Sequence, residues 1–175
     1  MTTQQVAAAM QRMRKVLQRR PEHGLHDDAG AIAHWQGDAR IVCRHANGAH
    51  LVTDMPVELG GTGDQVTPGW LFRAALAACA ATRIAMEAAT CGIELSGLEV
   101  HADSRSDARG LLGMCQADGS PVPSAPCEVR MWVRIRAAGV SAETLRALVH
   151  RSRACSPVTA AVEQALPLTW QIDAA

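Results

Sequence analysis

The sequence predicts an α+β fold, and three observations predict it. Asn47-Gly48 separates two short apolar runs, Ile41-Val42-Cys43 and Leu51-Val52-Thr53, the signal of a two-residue β-hairpin turn. Thr67-Pro68 opens a long apolar stretch that runs to about Ala89, a helix with its cap and its first-position proline. Val129, Met131, Val133 and Ile135 alternate with polar or aromatic neighbours, a half-buried strand, and helix starts follow at Ser141 and at Ser156-Pro157. Strands, a long helix, more strands, two helices and a closing strand make an α+β order.

Each element has its own local reason. Val6, Met10, Met13 and Leu17 form one stripe of an amphipathic helix over residues 3–20, which Pro21 stops. Arg12, Arg14, Lys15, Arg19 and Arg20 suit its later turns, where the helix dipole is negative. Residues 31–54 hold the short extended runs of the hairpin. Gly60-Gly61-Thr62-Gly63-Asp64 is a loop, but it lacks the GxxxxGK[ST] pattern of a phosphate-binding loop, and Lys15 is the only lysine in the chain. In the long helix Phe72, Leu76, Cys79, Arg83 and Met86 share one face, and the helix ends before Cys91-Gly92. Glu99 to Ala102 reads as a strand, Asp107 to Gly110 as a turn, and 119–126 as a Pro- and Ser-rich loop. Ser141 opens a helix to about Arg153, Pro157 one to Ala165, and Leu168 to Ile172 reads as a final strand.

Composition bounds the function. The 175 residues suit one domain, residues 31–175, preceded by a helical arm, residues 1–30. With four Trp, one Phe and no Tyr, Ala, Val, Leu and Met must fill the core. Small side chains bury little area each, which favours subunit association, here a homodimer with a large interface. The 17 basic and 17 acidic residues cancel, so no basic surface for nucleic acid is expected. The absence of a long apolar run or a signal-peptide pattern points away from membranes and to the cytoplasm, and the Ala- and Arg-rich usage suits a bacterial genome. His23, His26, His45 and His50 form neither HExxH nor a finger pattern, so neither metal nor cofactor is expected. The six cysteines, without CxxC spacing, read as reduced thiols.

Two of those thiols carry the chemistry. Cys79 lies on the long helix one turn before Arg83, whose guanidinium near a thiol favours the nucleophilic thiolate. The plainer alternative is that Cys79 packs among alanines while Arg83 reaches solvent. Cys155 stands just outside a helix start, beside Ser156, the better N-cap. The other four cysteines have no distinguishing partners.

Asp54-Met55-Pro56-Val57-Glu58-Leu59-Gly60-Gly61, then Pro68 through Cys79, then Asp107-Ala108-Arg109-Gly110, then Ser156-Pro157-Val158 resemble, in that order, the OsmC/Ohr family of osmotically induced and organic-hydroperoxide-resistance proteins. The resemblance runs from about Ala31 to Ile172. It implies an intertwined dimer with a long central helix packed on antiparallel sheets, and paired active sites between the subunits. It implies a thiol peroxidase of oxidative stress defence, taking a small organic hydroperoxide and a thiol reductant. In the family the helix cysteine attacks the peroxide, becomes a sulfenic acid and condenses with a second cysteine, while an Arg and a Glu hold the thiolate. Cys79 matches the attacking thiol and Arg40 the arginine. Two departures stand out: Gly69 and Trp70 occupy the places of the glutamate, and Ser156 occupies that of the second cysteine, with Cys155 displaced by one residue. Resolution by Cys155 or by an external thiol is expected, with Ser156 capping the helix from Pro157 through its hydroxyl. The departures also fit an OsmC-fold dimer that binds a small molecule without peroxidase activity.

Overall fold

Thr2 and Gln5 cap α1 (Thr3–Arg19) reciprocally, each side chain accepting the other's backbone N–H at 3.2 and 2.8 Å. Val6, Met10 and Leu17 are half-buried while Met13 is exposed, and Pro21 ends the helix in a 3-10 turn, Pro21–Gly24. The structure, a computed structural model, describes residues 2–174. It divides into two units, one of Met1–Met10 with Ala75–Ala175 and one of Gln11–Ala74.

In the Gln11–Ala74 unit, β1 (Ile32–Trp35), β2 (Ile41–Arg44) and β3 (His50–Thr53) form an antiparallel sheet in that order, with Val42 facing both His34 and Val52. The β2–β3 hairpin turns at Asn47-Gly48, as the sequence signals, but with a longer loop than two residues. His45 and Ala49 close it through a 2.9 Å N–H···O bond, the Asn47 carboxamide accepts the Ala49 N–H, and Gly48 takes φ +92°. A turn that ends on a left-handed glycine is the next commonest hairpin closure.

In the other unit, β4 (Gly97–Arg105) pairs antiparallel with β5 (Glu128–Arg136), Val100 opposite Val133 and Leu98 opposite Ile135. Period-two alternation turns these four toward a core of Ile84, Ala88 and Leu148, contributed by α2 (Pro68–Thr90) and α4 (Ala142–Arg153). The opposite face of the ribbon carries the Glu99–Arg134 and Asp103–Arg130 ion pairs, with Arg130 over the Trp132 ring. The expected turn at Asp107 is a short helix, α3 (Ala108–Leu111), because the Asp107 carboxylate accepts the Arg109 N–H at 3.0 Å and so caps it. Thr67 and Ser141 cap α2 and α4 as expected, accepting the N–H groups of Trp70 and Thr144 at 3.1 Å each. α5 (Pro157–Gln164) ends at Ala165, in left-handed conformation.

The expected final strand is absent. Residues 165–174 carry no regular structure, and Leu166, Leu168, Trp170 and Ile172 are all exposed. Alternation alone does not make a strand, whose N–H and C=O groups need a neighbouring edge. Among the described residues no helix is long and apolar enough to cross a membrane.

Candidate active site around Cys79

Cys79 is half-buried on α2, one turn after the fully buried Leu76. What meets this thiol is a side chain from the start of α5. Ser156, only 1% exposed, is the N-cap residue by position and backbone conformation, yet its hydroxyl caps nothing. The hydroxyl instead donates to the Cys79 sulfur at 3.3 Å and meets the Thr159 hydroxyl at 2.9 Å. This corrects the expectation that Ser156 caps the helix. Its side chain is turned inward, where a buried hydroxyl must find partners and the thiol is one.

One proton per hydroxyl fixes the direction of this chain. If Ser156 gives its hydrogen to sulfur, Thr159 gives its own to Ser156. Two donors in series thus point at Cys79, and the positive end of α5 lies behind them.

Beside these residues lies a mainly apolar cavity of about 420 Å³, lined among others by Leu76, Ala80, Ile84, Met131, Val149 and Ser156. Arg153 and Glu163 also border it and pair with each other at 2.7 Å. The cavity has the make-up of a pocket for an apolar group with a few oriented polar atoms.

The other expected site residues sit as follows. Cys155 is exposed, whereas Ser156 beside it is buried. Arg83, 13% exposed, lies one turn beyond Cys79 and sends Nη2 to Glu87 at 3.7 Å, while its Nε is buried without a hydrogen-bond partner. Glu87 also accepts from Arg151 at 3.2 Å, and Arg151 reaches the Cys91 sulfur at 3.7 Å. The Arg151 pKa is raised by its hydrogen bonds to Glu87 first and to Cys91 second.

Arg40 belongs to the Gln11–Ala74 unit, where its Nη2 bonds Asp64, Thr62 at 2.9 Å and Asp54 at 3.3 Å. Asp54 is 1% exposed and also accepts from the Thr62 hydroxyl, the Thr62 N–H and the Met55 N–H. The Arg40 hydrogen bond holds the Asp64 carboxyl well below the usual range, and the Thr62 hydroxyl lowers that of Asp54. The Gly-rich loop is therefore a clasp around a buried carboxylate. Gly61 is obligatory in it, since a Cβ there would lie 1.8 Å from the Met55 carbonyl oxygen.

Thr159 and the Glu87–Arg151 pair went unread in the sequence. Ser156 and Thr159, three apart at a helix start, carry a detectable signal, but its ordinary meaning is a cap. Glu87 and Arg151 are separated by 64 residues, so only the packing of α4 against α2 joins them.

Comparison with known proteins adds the family. A family model described as OsmC-like protein matches residues 61–171. Solved structures share the fold. An organic hydroperoxide resistance protein OsmC from Legionella pneumophila is 22% identical over 79% of this chain and 90% of its own, with a TM-score of 0.57. An organic hydroperoxide resistance protein from Elizabethkingia anophelis is 21% identical over 79% and 89%, with a TM-score of 0.59. An OsmC-like protein from Mycoplasma pneumoniae is 14% identical over 79% and 89%, with a TM-score of 0.65. A comparison with curated proteins found no match. With the match spanning most of the chain and the helix-borne thiol within it, this protein belongs to the OsmC-like family.

Proposed function

We propose that the protein is a thiol-dependent peroxidase that reduces small organic hydroperoxides through Cys79. The observation that carries the reading is a half-buried sulfur receiving the Ser156 hydroxyl at 3.3 Å, beside an apolar cavity that Ser156 itself helps to line. The Cys79 thiolate attacks the outer peroxide oxygen, the O–O bond breaks, and the alkoxide leaves with a proton as alcohol. Sulfur keeps the transferred oxygen as sulfenic acid, and two electrons from thiols return it to the starting state with loss of water. The apolar cavity takes the organic part of the substrate. Names given to relatives from Legionella pneumophila and Elizabethkingia anophelis support the same substrate class.

Steady-state reduction of an organic hydroperoxide with a dithiol donor tests this. Turnover by the parent and its loss in Cys79→Ser are the expected results, and equal rates in both would remove Cys79 as the nucleophile.

The alternative, a pocket that binds a small molecule without turnover, is favoured by Gly69 and Trp70 where family peroxidases carry glutamate. Saturable binding of an apolar ligand with no turnover in the same assay selects it.

The working form is a homodimer. Leu166, Leu168, Trp170 and Ile172, an exposed alternating apolar run with no strand partner, support an extended segment completed by a second copy. Sedimentation of a stable folded monomer at micromolar concentration contradicts it.

A further inference from the structure

We infer that Cys79 works as a single-thiol site, because Ser156 fills the position from which an internal thiol would discharge it. The inference rests on the reading of Cys79 as the reacting thiol. The Ser156 oxygen faces the Cys79 sulfur at 3.3 Å, so a sulfur in its place would need to move only about 1 Å to reach S–S bonding distance. A hydroxyl in that place holds the sulfur by a hydrogen bond and has no oxidised state to share. Cys155, the adjacent thiol, is exposed while Ser156 is buried. The Ser156 backbone is extended, φ −95° and ψ 105°, whereas Cys155 stands in the turn that leaves α4, its N–H bonded to the Ser152 carbonyl at 3.1 Å. Cys155 is left exposed at the step where Ser156 meets Cys79.

The second thiol must then come from solution, as a small organic thiol. Its sulfur attacks the Cys79 sulfenic acid, an S–S bond forms, and the hydroxyl leaves with a proton as water. A second molecule of the same thiol attacks the outer sulfur of this mixed disulfide. Cys79 is released as thiol, and the two small thiols leave as their disulfide, having supplied the two electrons. Ser156 and Thr159 are positioning residues here, holding the sulfur throughout.

The test uses an aromatic disulfide that releases a coloured thiolate, so it does not depend on peroxide turnover. In the full chain carrying Cys43, Cys91, Cys115 and Cys127 as serine, one equivalent of probe is added. Two thiols within reach release two equivalents of colour and form an internal disulfide, whereas isolated thiols release one and keep the adduct. One equivalent, with an adduct persisting on either cysteine, is expected. Two equivalents with a Cys79–Cys155 link, or a Cys79 link between copies, overturns the inference. Adding Ser156→Cys and Cys155→Ser to the same chain is expected to give two equivalents and a link from Cys79 to position 156. One equivalent there overturns the assignment of that position. If the fourfold serine chain does not fold, a non-reducing peptide map of the parent after the same treatment decides between the same linkages. Loss of hydroperoxide turnover with these results unchanged would count against the peroxidase reading alone.

Discussion

The Ser156 hydroxyl lies 3.3 Å from the Cys79 sulfur, although 77 residues separate them and Ser156 is the N-cap residue of its own helix. A residue that could satisfy a helix terminus is used instead to hold a thiol. The consequence is measurable at the sulfur.

Ser156→Ala removes the donor and leaves Thr159 without its partner. On the peroxidase reading the attacking form is the thiolate, and a hydrogen bond to a charged group contributes about 1.5–3 kcal/mol, so alkylation of Cys79 is expected to slow by about tenfold or more. Ser156→Thr, which keeps a hydroxyl, should recover part of the rate. Alkylation followed by mass mapping of the Cys79 peptide reads both, and an unchanged rate in the alanine variant would show that the hydroxyl does not hold the reactive form.

The Arg40 clasp predicts a pH dependence. Folding holds both the Asp54 and Asp64 carboxyls below the ordinary value of 3.8. A carboxyl depressed in the folded state stabilises it fully above the unfolded pKa, and that stabilisation is lost as pH falls through the folded value. Asp64→Asn should therefore melt lower than the parent at neutral pH, and the gap should close as pH is lowered beneath about 3.8, the ordinary carboxylate value. Thermal melts of both proteins across this range check it; a gap that is constant with pH would place the effect elsewhere.

Gly61 predicts a steric cost without a conformational one. Its φ lies outside the left-handed region, yet an added Cβ would meet the Met55 carbonyl at 1.8 Å and Asp54 Oδ1 at 2.6 Å. Gly61→Ala must displace backbone around the buried carboxylate, and overpacking of this kind costs about 1–3 kcal/mol. Gly30→Ala, with nothing within 4 Å, serves as the control and should melt like the parent. Denaturant midpoints of the two variants give the comparison.

These contrasts mark what the sequence can carry. Helix starts at Thr67 and Ser141 were legible because capping is local, decided within three residues by one side chain and one N–H. The alternating core face of β5 was legible for the same reason of short period. Ser156 has the same local pattern but a different outcome, because a half-buried thiol from α2 competes for its hydroxyl, and tertiary contact overrides a local preference. The run from Leu166 to Ile172 has strand chemistry and no strand, since pairing depends on an edge that the segment does not supply itself. The Gly-rich loop could be recognised as a non-phosphate loop, but its clasp on Asp54 needed the fold to bring Arg40 and Thr62 to one carboxylate.

The last prediction concerns the charges behind Cys79 on α2. Arg83 and Glu87 are 13% and 14% exposed, so both ions have lost most of their water, while Arg151, 53% exposed, has kept much of its own. Removing one member of a mostly buried pair leaves the other uncompensated, at a cost of about 3–5 kcal/mol for full burial. Glu87→Ala strands Arg83, whose Nε already lacks a partner, and should lower the unfolding free energy by about 3 kcal/mol. Arg151→Ala removes only an exposed partner and should cost about 1 kcal/mol or less. The double change Arg83→Met with Glu87→Leu replaces both ions by apolar groups of similar length, and should recover most of the loss seen in Glu87→Ala, because two unpaired desolvation costs disappear together. Urea unfolding of the three variants measures the order. If Arg151→Ala proves as damaging as Glu87→Ala, the exposed arginine and not the buried one is what Glu87 holds in place.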